Sequence, residues 1–263
     1  MINISEIILN NFLQFELCQE ADMKKTLVFI LIIGMLVSSF SCSVSNKTIL
    51  RAQKLEEGVS NPTTVEELKN AIEKYQRRVS DIQLAQSQIG IWYKILGTRY
   101  LDTKMYGEAL KCFQEALTYY PDNQNLYYYV GVCAGYMSHQ ALDYNASGTN
   151  EVKYNYLKLA EEAYLRAITI EDRYVRALYG LGVLYVFELN ESEKAIPYLE
   201  KALTIEVNNL DAMFVLARAY YSAFEFDKSV QMYDKIIATT KSAETKATAE
   251  ENKKIVLDAA YSN

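Results

Sequence analysis

An all-α chain is predicted from three observations. Half of the 263 residues are apolar, only 10 Gly and 3 Pro occur, and a pattern of small and aromatic residues recurs about every 34 positions. The apolar half supplies a sizeable core without disulfide staples. The scarcity of turn formers excludes an all-β chain, which must turn about every 8 to 12 residues, and a glycine-rich phosphate-binding α/β enzyme. The net charge is -6 with a pI near 5.1, so there is no basic surplus to displace counterions from nucleic acid. A single histidine, His139, removes most His-dependent catalysis and His-rich metal sites. No enzymatic activity and no cofactor is expected.

The N-terminal region reads as targeting sequence. Residues 1–22 carry Glu6, Glu16, Glu20 and Asp22 and no base, the wrong flank for an export signal, so Met23 is the expected initiator. From Met23 the chain runs Lys24-Lys25, an apolar stretch of 11 residues from Leu27 to Val37, then Ser38-Ser39-Phe40-Ser41-Cys42. A span needs about 20 apolar residues, so this stretch directs export rather than crossing a bilayer. Small residues ending at a cysteine resemble a bacterial lipobox. That resemblance implies cleavage of 23–41 and lipid attachment, palmitate included, at Cys42, which would hold the protein on a membrane. Ser43 rather than Asp after the cysteine favours the outer over the inner membrane of a bacterial envelope, with the domain facing the periplasm. A secreted protein and an uncleaved anchor are the alternatives. Residues 42–62 then form a polar tether, and 63–263 the folded domain.

In the domain, Thr63-x-x-Glu66 and Thr64-x-x-Glu67 are capping boxes, followed by Val65, Leu68, Ile72, Tyr75, Val79 and Ile82 at helical spacing. This helix is expected to be half a repeat covering one end. Next come Tyr93, Leu96-Gly97 and Tyr100 on one helical face, Asp102 to Gly107 as a turn, Ala109, Phe113 and Ala116 on a second helix, and Pro121 as its stop. Gly97 and Ala109 are small, so the two helices can approach closely. A second unit opens with Tyr127, Val130-Gly131 and Ala134, but its partner, Ala160, Tyr164 and Ala167, comes late. Gly131 to Ala160 spans 29 residues where Gly97 to Ala109 spans 12, an insertion of 17 read as a loop or an extended helix end. A third unit has Leu178, Leu181-Gly182, Tyr185, Ala195, Leu199 and Ala202, one residue longer in its turn. A fourth has Met213, Leu216-Ala217, Tyr220, Ser229, Tyr233 and Ile236. Ala243 to Ala260 closes the array as a helix with one wet face.

The W-x₂-L-G-x₂-Y…A-x₃-F…P pattern over 34 residues, with Tyr93 in place of Trp, resembles the tetratricopeptide repeat. The resemblance covers residues 63 to 241. It implies a right-handed α-solenoid of about four helix pairs with flanking capping helices, and a non-enzymatic protein-binding function. It also implies that the position after each packing aromatic faces a concave groove: Lys94, Tyr128, Tyr179 and Phe214. Phe187 lies eight residues beyond Tyr179, and Lys94, Arg176 and Arg218 are the only basic groove residues, too few for a carboxylate clamp. Tyr128, Tyr179, Phe214, Phe187 and Arg218 are therefore the candidate partner-binding residues, suited to an apolar helix or extended peptide of an envelope protein. Simple packing of the concave side is the alternative for the tyrosines. A small-molecule-binding subunit of an envelope transport system is the rival function. His139 is expected on a rim, and Cys112 and Cys133 as two buried thiols rather than a disulfide.

Overall fold

The computed structural model describes residues 62–142 and 150–261. The lipobox, Cys42, Cys18 and residues 143–149 of the insertion lie outside the described residues. The chain divides into two units, Met1–Arg78 and Val79–Asn263.

The described part of the first unit is the start of α1 (Val65–Asp102). Of the two capping boxes, the Thr64–Glu67 one forms. The Thr64 N–H donates to Glu67 Oε2 at 3.0 Å, and the Glu67 N–H donates to Thr64 Oγ1 at 3.2 Å. The Thr63 N–H donates to the same Oε2 at 2.9 Å, and the Thr63 and Thr64 amides hold the Glu67 carboxyl pKa below its ordinary value. No Gly or Pro occurs between Val65 and Ile89, so nothing interrupts the helix. The expected half-repeat and the first helix of repeat one are a single helix of 38 residues.

In the second unit, helices alternate in antiparallel pairs. Repeat one pairs the end of α1 with α2 (Tyr106–Tyr119). Repeat two pairs α3 (Gln124–Gln140) with α4 (Glu151–Ile170). Repeat three pairs α5 (Val175–Val183), extended by a π-helical segment Leu184–Glu188, with α6 (Ser192–Ile205). Repeat four pairs α7 (Leu210–Ser222) with α8 (Phe226–Thr239), and α9 (Ala243–Tyr261) packs on α8. No strand occurs among the described residues. The expected small positions are the core: Ala109, Ala116, Ala160, Ala167, Ala195 and Ala202 are all fully buried. A methyl added at Gly97 would lie 2.9 Å from the Phe113 ring, so glycine sets that helix contact. Cys112 and Cys133 are free and buried.

Two expectations are refined. The insertion in repeat two is largely helical, since α3 has 17 residues and α4 has 20 against 13 and 14 in repeat four. Asn150 ties its ends together: its Oδ1 accepts from the Lys153 N–H at 2.7 Å, and its Nδ2 donates to the Ala141 carbonyl at 2.9 Å. The extra residue of repeat three, by contrast, is not in the turn. Lys104, Asn190 and Phe224 have left-handed φ of 60°, 55° and 60°, and each lies five residues before Ala109, Ala195 and Ser229. The turn is thus the same in all three repeats. The extra residue lies between Tyr185 and Asn190, where the Leu189 N–H reaches back five residues to the Leu184 carbonyl at 3.0 Å, the mark of a π turn.

Candidate functional site

A cavity of about 340 Å³ opens between α3 and α5. Helical spacing places Tyr128, Val132, Gly135, Tyr136 and His139 of α3 on one wall. Arg176, Tyr179, Gly180 and Val183 of α5 form the other wall, with Leu184 and Glu188 of the π segment. Tyr164 of α4 is the floor. Its ring fits between two glycines: an added methyl would lie 2.6 Å from it at Gly131 and 2.8 Å at Gly180. Gly135, one turn beyond Gly131, has nothing within 4 Å of its missing side chain. The hollow exists because this place on α3 carries no side chain.

The walls are aromatic and the ends charged. The Tyr128 ring lies 6.2 Å from that of Tyr164 and meets Tyr174 edge-on at 5.9 Å, while Tyr136 stacks on Tyr106 at 4.2 Å. Burial raises the hydroxyl pKa of Tyr128 and Tyr179, so both are neutral donors at physiological pH. At one end Arg176 interacts with the Tyr174 hydroxyl and has no ion-pair partner among the described residues. Tyr174 in turn donates to Asn125 Oδ1 at 2.8 Å. At the other end Glu188 lies 3.2 Å from His139 Nε2 and 3.6 Å from Lys153 Nζ. Among the described residues no cluster of three or more His, Cys, Asp or Glu side chains could hold a metal, and no helix is long and apolar enough to cross a membrane.

Residues 91–123, 175–209 and 211–239 each match the tetratricopeptide repeat family. Those segments are repeats one, three and four. The chain carries tetratricopeptide repeats. It is 25% identical over 231 residues to a TPR repeat-containing protein of Borreliella burgdorferi, a match covering 87% of this chain and 95% of that protein. In fold it is similar to a thermophilic tetratricopeptide-repeat protein of Thermus thermophilus, with a TM-score of 0.52 and 20% identity over 71% of this chain and 91% of that one. It is also similar to the human IFIT1 dimer with m7Gppp-AAAA, with a TM-score of 0.55 and 16% identity over 73% of this chain and 43% of that one.

Of the candidate groove residues on these tetratricopeptide repeats, Tyr128 and Tyr179 line the cavity and the others do not. Phe214 turns its ring edge to Tyr233 at 6.2 Å and is half-buried against the core. Arg218 lies 5.2 Å over the Tyr221 ring. Phe187 is 56% exposed on the π segment. The sequence reading did not single out Gly135, Gly180 and Glu188. A second glycine four residues after Gly131 was the available signal, because it empties one more turn of the same helix face. His139 is on the rim, as expected. Cys133 is held in the thiol form, its pKa raised by burial to about 12.

Proposed function

We propose that the chain is a membrane-anchored, non-enzymatic adaptor of a bacterial envelope, and that its α3–α5 cavity receives an apolar or aromatic segment of a partner protein. The cavity carries this reading. Tyr128, Tyr136 and Tyr179 offer flat, largely preorganised aromatic area, and Arg176 suits an acidic group flanking the anchor residue. The order of basic, apolar and small residues ending at Cys42 supports the lipid anchor, and Ser43 supports the outer membrane, with the repeats facing the periplasm.

The test uses Gly135→Trp, which fills open space without touching the core. Capture from native envelope by the wild-type chain should recover one envelope protein that Gly135→Trp and Tyr179→Ala lose. Equal recovery by all three would remove the cavity from the adaptor function. Mass spectrometry should find acyl mass on Cys42, and Cys42→Ser should abolish detergent partitioning. An unmodified Cys42 in the native protein would refute the anchor.

A second reading is an accessory ligand-binding subunit of a transport system, because about 340 Å³ is within the range of small-molecule sites, roughly 300 to 1,000 Å³. A small molecule retained by the purified wild type in native mass spectrometry, and absent from Gly135→Trp, would favour it over the adaptor.

A further inference from the structure

We propose that α1 pairs with α1 of a second copy of this chain as a parallel two-stranded coiled coil. The observation is a face in water that follows a strict rule. Val65, Leu68, Ile72, Tyr75, Val79 and Ile82 alternate three and four residues apart, and each is 41 to 70% exposed. The same register continues through Gln86 to Ile89, itself 41% exposed. From Ser87 onward the helix is engaged by α2: the Tyr120 hydroxyl donates to the Ser87 carbonyl at 2.8 Å, and Gly90 faces the Tyr120 ring. The stripe is therefore presented along the part of α1 that precedes its repeat.

A spacing of 3.5 residues is what two supercoiling helices require of one another. A globular core would accept a broader and less regular face. The composition selects the partner. With Val65 at heptad position a, the apolar a residues are β-branched, Val65, Ile72 and Val79, and Leu68 stands at the first d position, the a–d combination that favours two parallel strands, while Tyr75, Ile82 and Ile89 occupy the later d positions. The one polar a residue is Gln86, and a buried polar pair at a single a position fixes register. Charge is arranged for self-pairing as well. Glu66, Glu67, Glu73, Lys74, Arg77 and Asp81 all fall at the outer b, c and f positions. Across a parallel pair, Arg78 would face Gln83 and Thr64 would face Lys69, so no like charges oppose each other. Burying the stripes of two copies would remove on the order of 1,200 Å² from water, about the threshold for a stable interface.

The test uses the full chain with Cys18 and Cys42 replaced by Ser, which removes the lipid. Sedimentation equilibrium at micromolar concentration should give twice the chain mass of 30.1 kDa. Val65→Cys and Val79→Cys, made separately, should each oxidise to a covalent dimer, because in-register parallel strands bring both a positions together. The pair Ile72→Lys and Val79→Lys should return the mass to one chain while the melting of the repeats stays unchanged. A monomer in the parent chain would overturn the proposal, as would a trimer or tetramer. Cross-linking at Val79 but not at Val65 would mean antiparallel strands and also overturn it. A monomer that binds lipid vesicles through Ile72 would assign the stripe to a membrane instead. Because the Cys variants report without breaking the stripe, they decide the matter even if the lysine variant misfolds.

Discussion

The seam between repeats two and three is hollow, whereas the same places in the next seam are filled. In the first seam, Gly135 on α3 and Gly180 on α5 line the cavity. One repeat further on, the position four after the packing glycine is Val186 and the position two before the packing small residue is Val215. Both valines are buried, 8% and 7% exposed. Both seams carry the same polar tie: the Tyr185 hydroxyl donates to Glu161 at 2.7 Å across the first, and the Tyr220 hydroxyl donates to Glu200 across the second, so the filling side chains are what differ. A repeat scaffold thus keeps its helix geometry while two side-chain substitutions decide whether a seam can receive anything.

The comparison breaks most severely at Tyr164, on which the hollow seam rests. Tyr164→Ala should lose about 3 to 5 kcal/mol, the range for removing a large buried ring, read as a fall in the urea midpoint. A loss below 1 kcal/mol would mean that the two glycines do not clasp the ring. Next come two substitutions one helical turn apart. Gly131→Ala pushes a methyl into the Tyr164 ring and should cost about 1 to 3 kcal/mol. Gly135→Ala meets open space and should gain up to about 1 kcal/mol from helix propensity. Equal effects at the two sites would erase the distinction between floor and void.

Alkaline pH should sharpen the contrast further. Tyr174 beside the cavity is pushed by burial from 10.0 up to about 12, and burial moves Tyr128, Tyr164 and Tyr179 the same way. A raised folded pKa means stability fully present below pH 10 and lost as pH climbs through the folded value near 12. Tyrosinate absorbance should therefore rise in two stages, exposed rings first and the cavity rings together with unfolding. A single stage near the free value would contradict the burial. The smallest effect is expected at Lys104, whose left-handed φ of 60° favours glycine. Lys104→Gly should stabilise the fold by about 1 kcal/mol or less, read as a slight rise in melting temperature, with no effect on the cavity.

The repeat itself was legible because its signals are local. Gly97, Ala109 and Pro121 mark a close approach, a packed face and a stop, and each holds in the structure. Ala243 to Ala260 was likewise readable as a final helix, found as Ala243–Tyr261. The unbroken α1 was harder to see, because Tyr93 begins a recognisable unit although nothing in the backbone begins there. The π turn was invisible, since an extra residue inside a helix has no compositional mark and counting alone assigns it to the turn. The cavity was only half legible. Tyr128, Tyr179 and Phe214 occupy equivalent repeat positions, but whether each faces a void depends on the neighbouring helix, through Gly135 in one case and Val186 in another.

The π turn in α5 has an implication for how such a site can arise. An α-helix turns one residue through about 100°, so removing the extra residue would swing what precedes it out of phase with the fixed turn at Asn190. Glu188, whose side chain is 17% exposed and meets His139 and Lys153, lies in that stretch. A single inserted codon, absorbed where the helix can widen rather than where the chain must bend, suffices to bring a carboxylate to the end of the hollow and leave the stacking of the repeats unaltered. In this array, a change of one residue in length can alter chemistry with little cost to architecture.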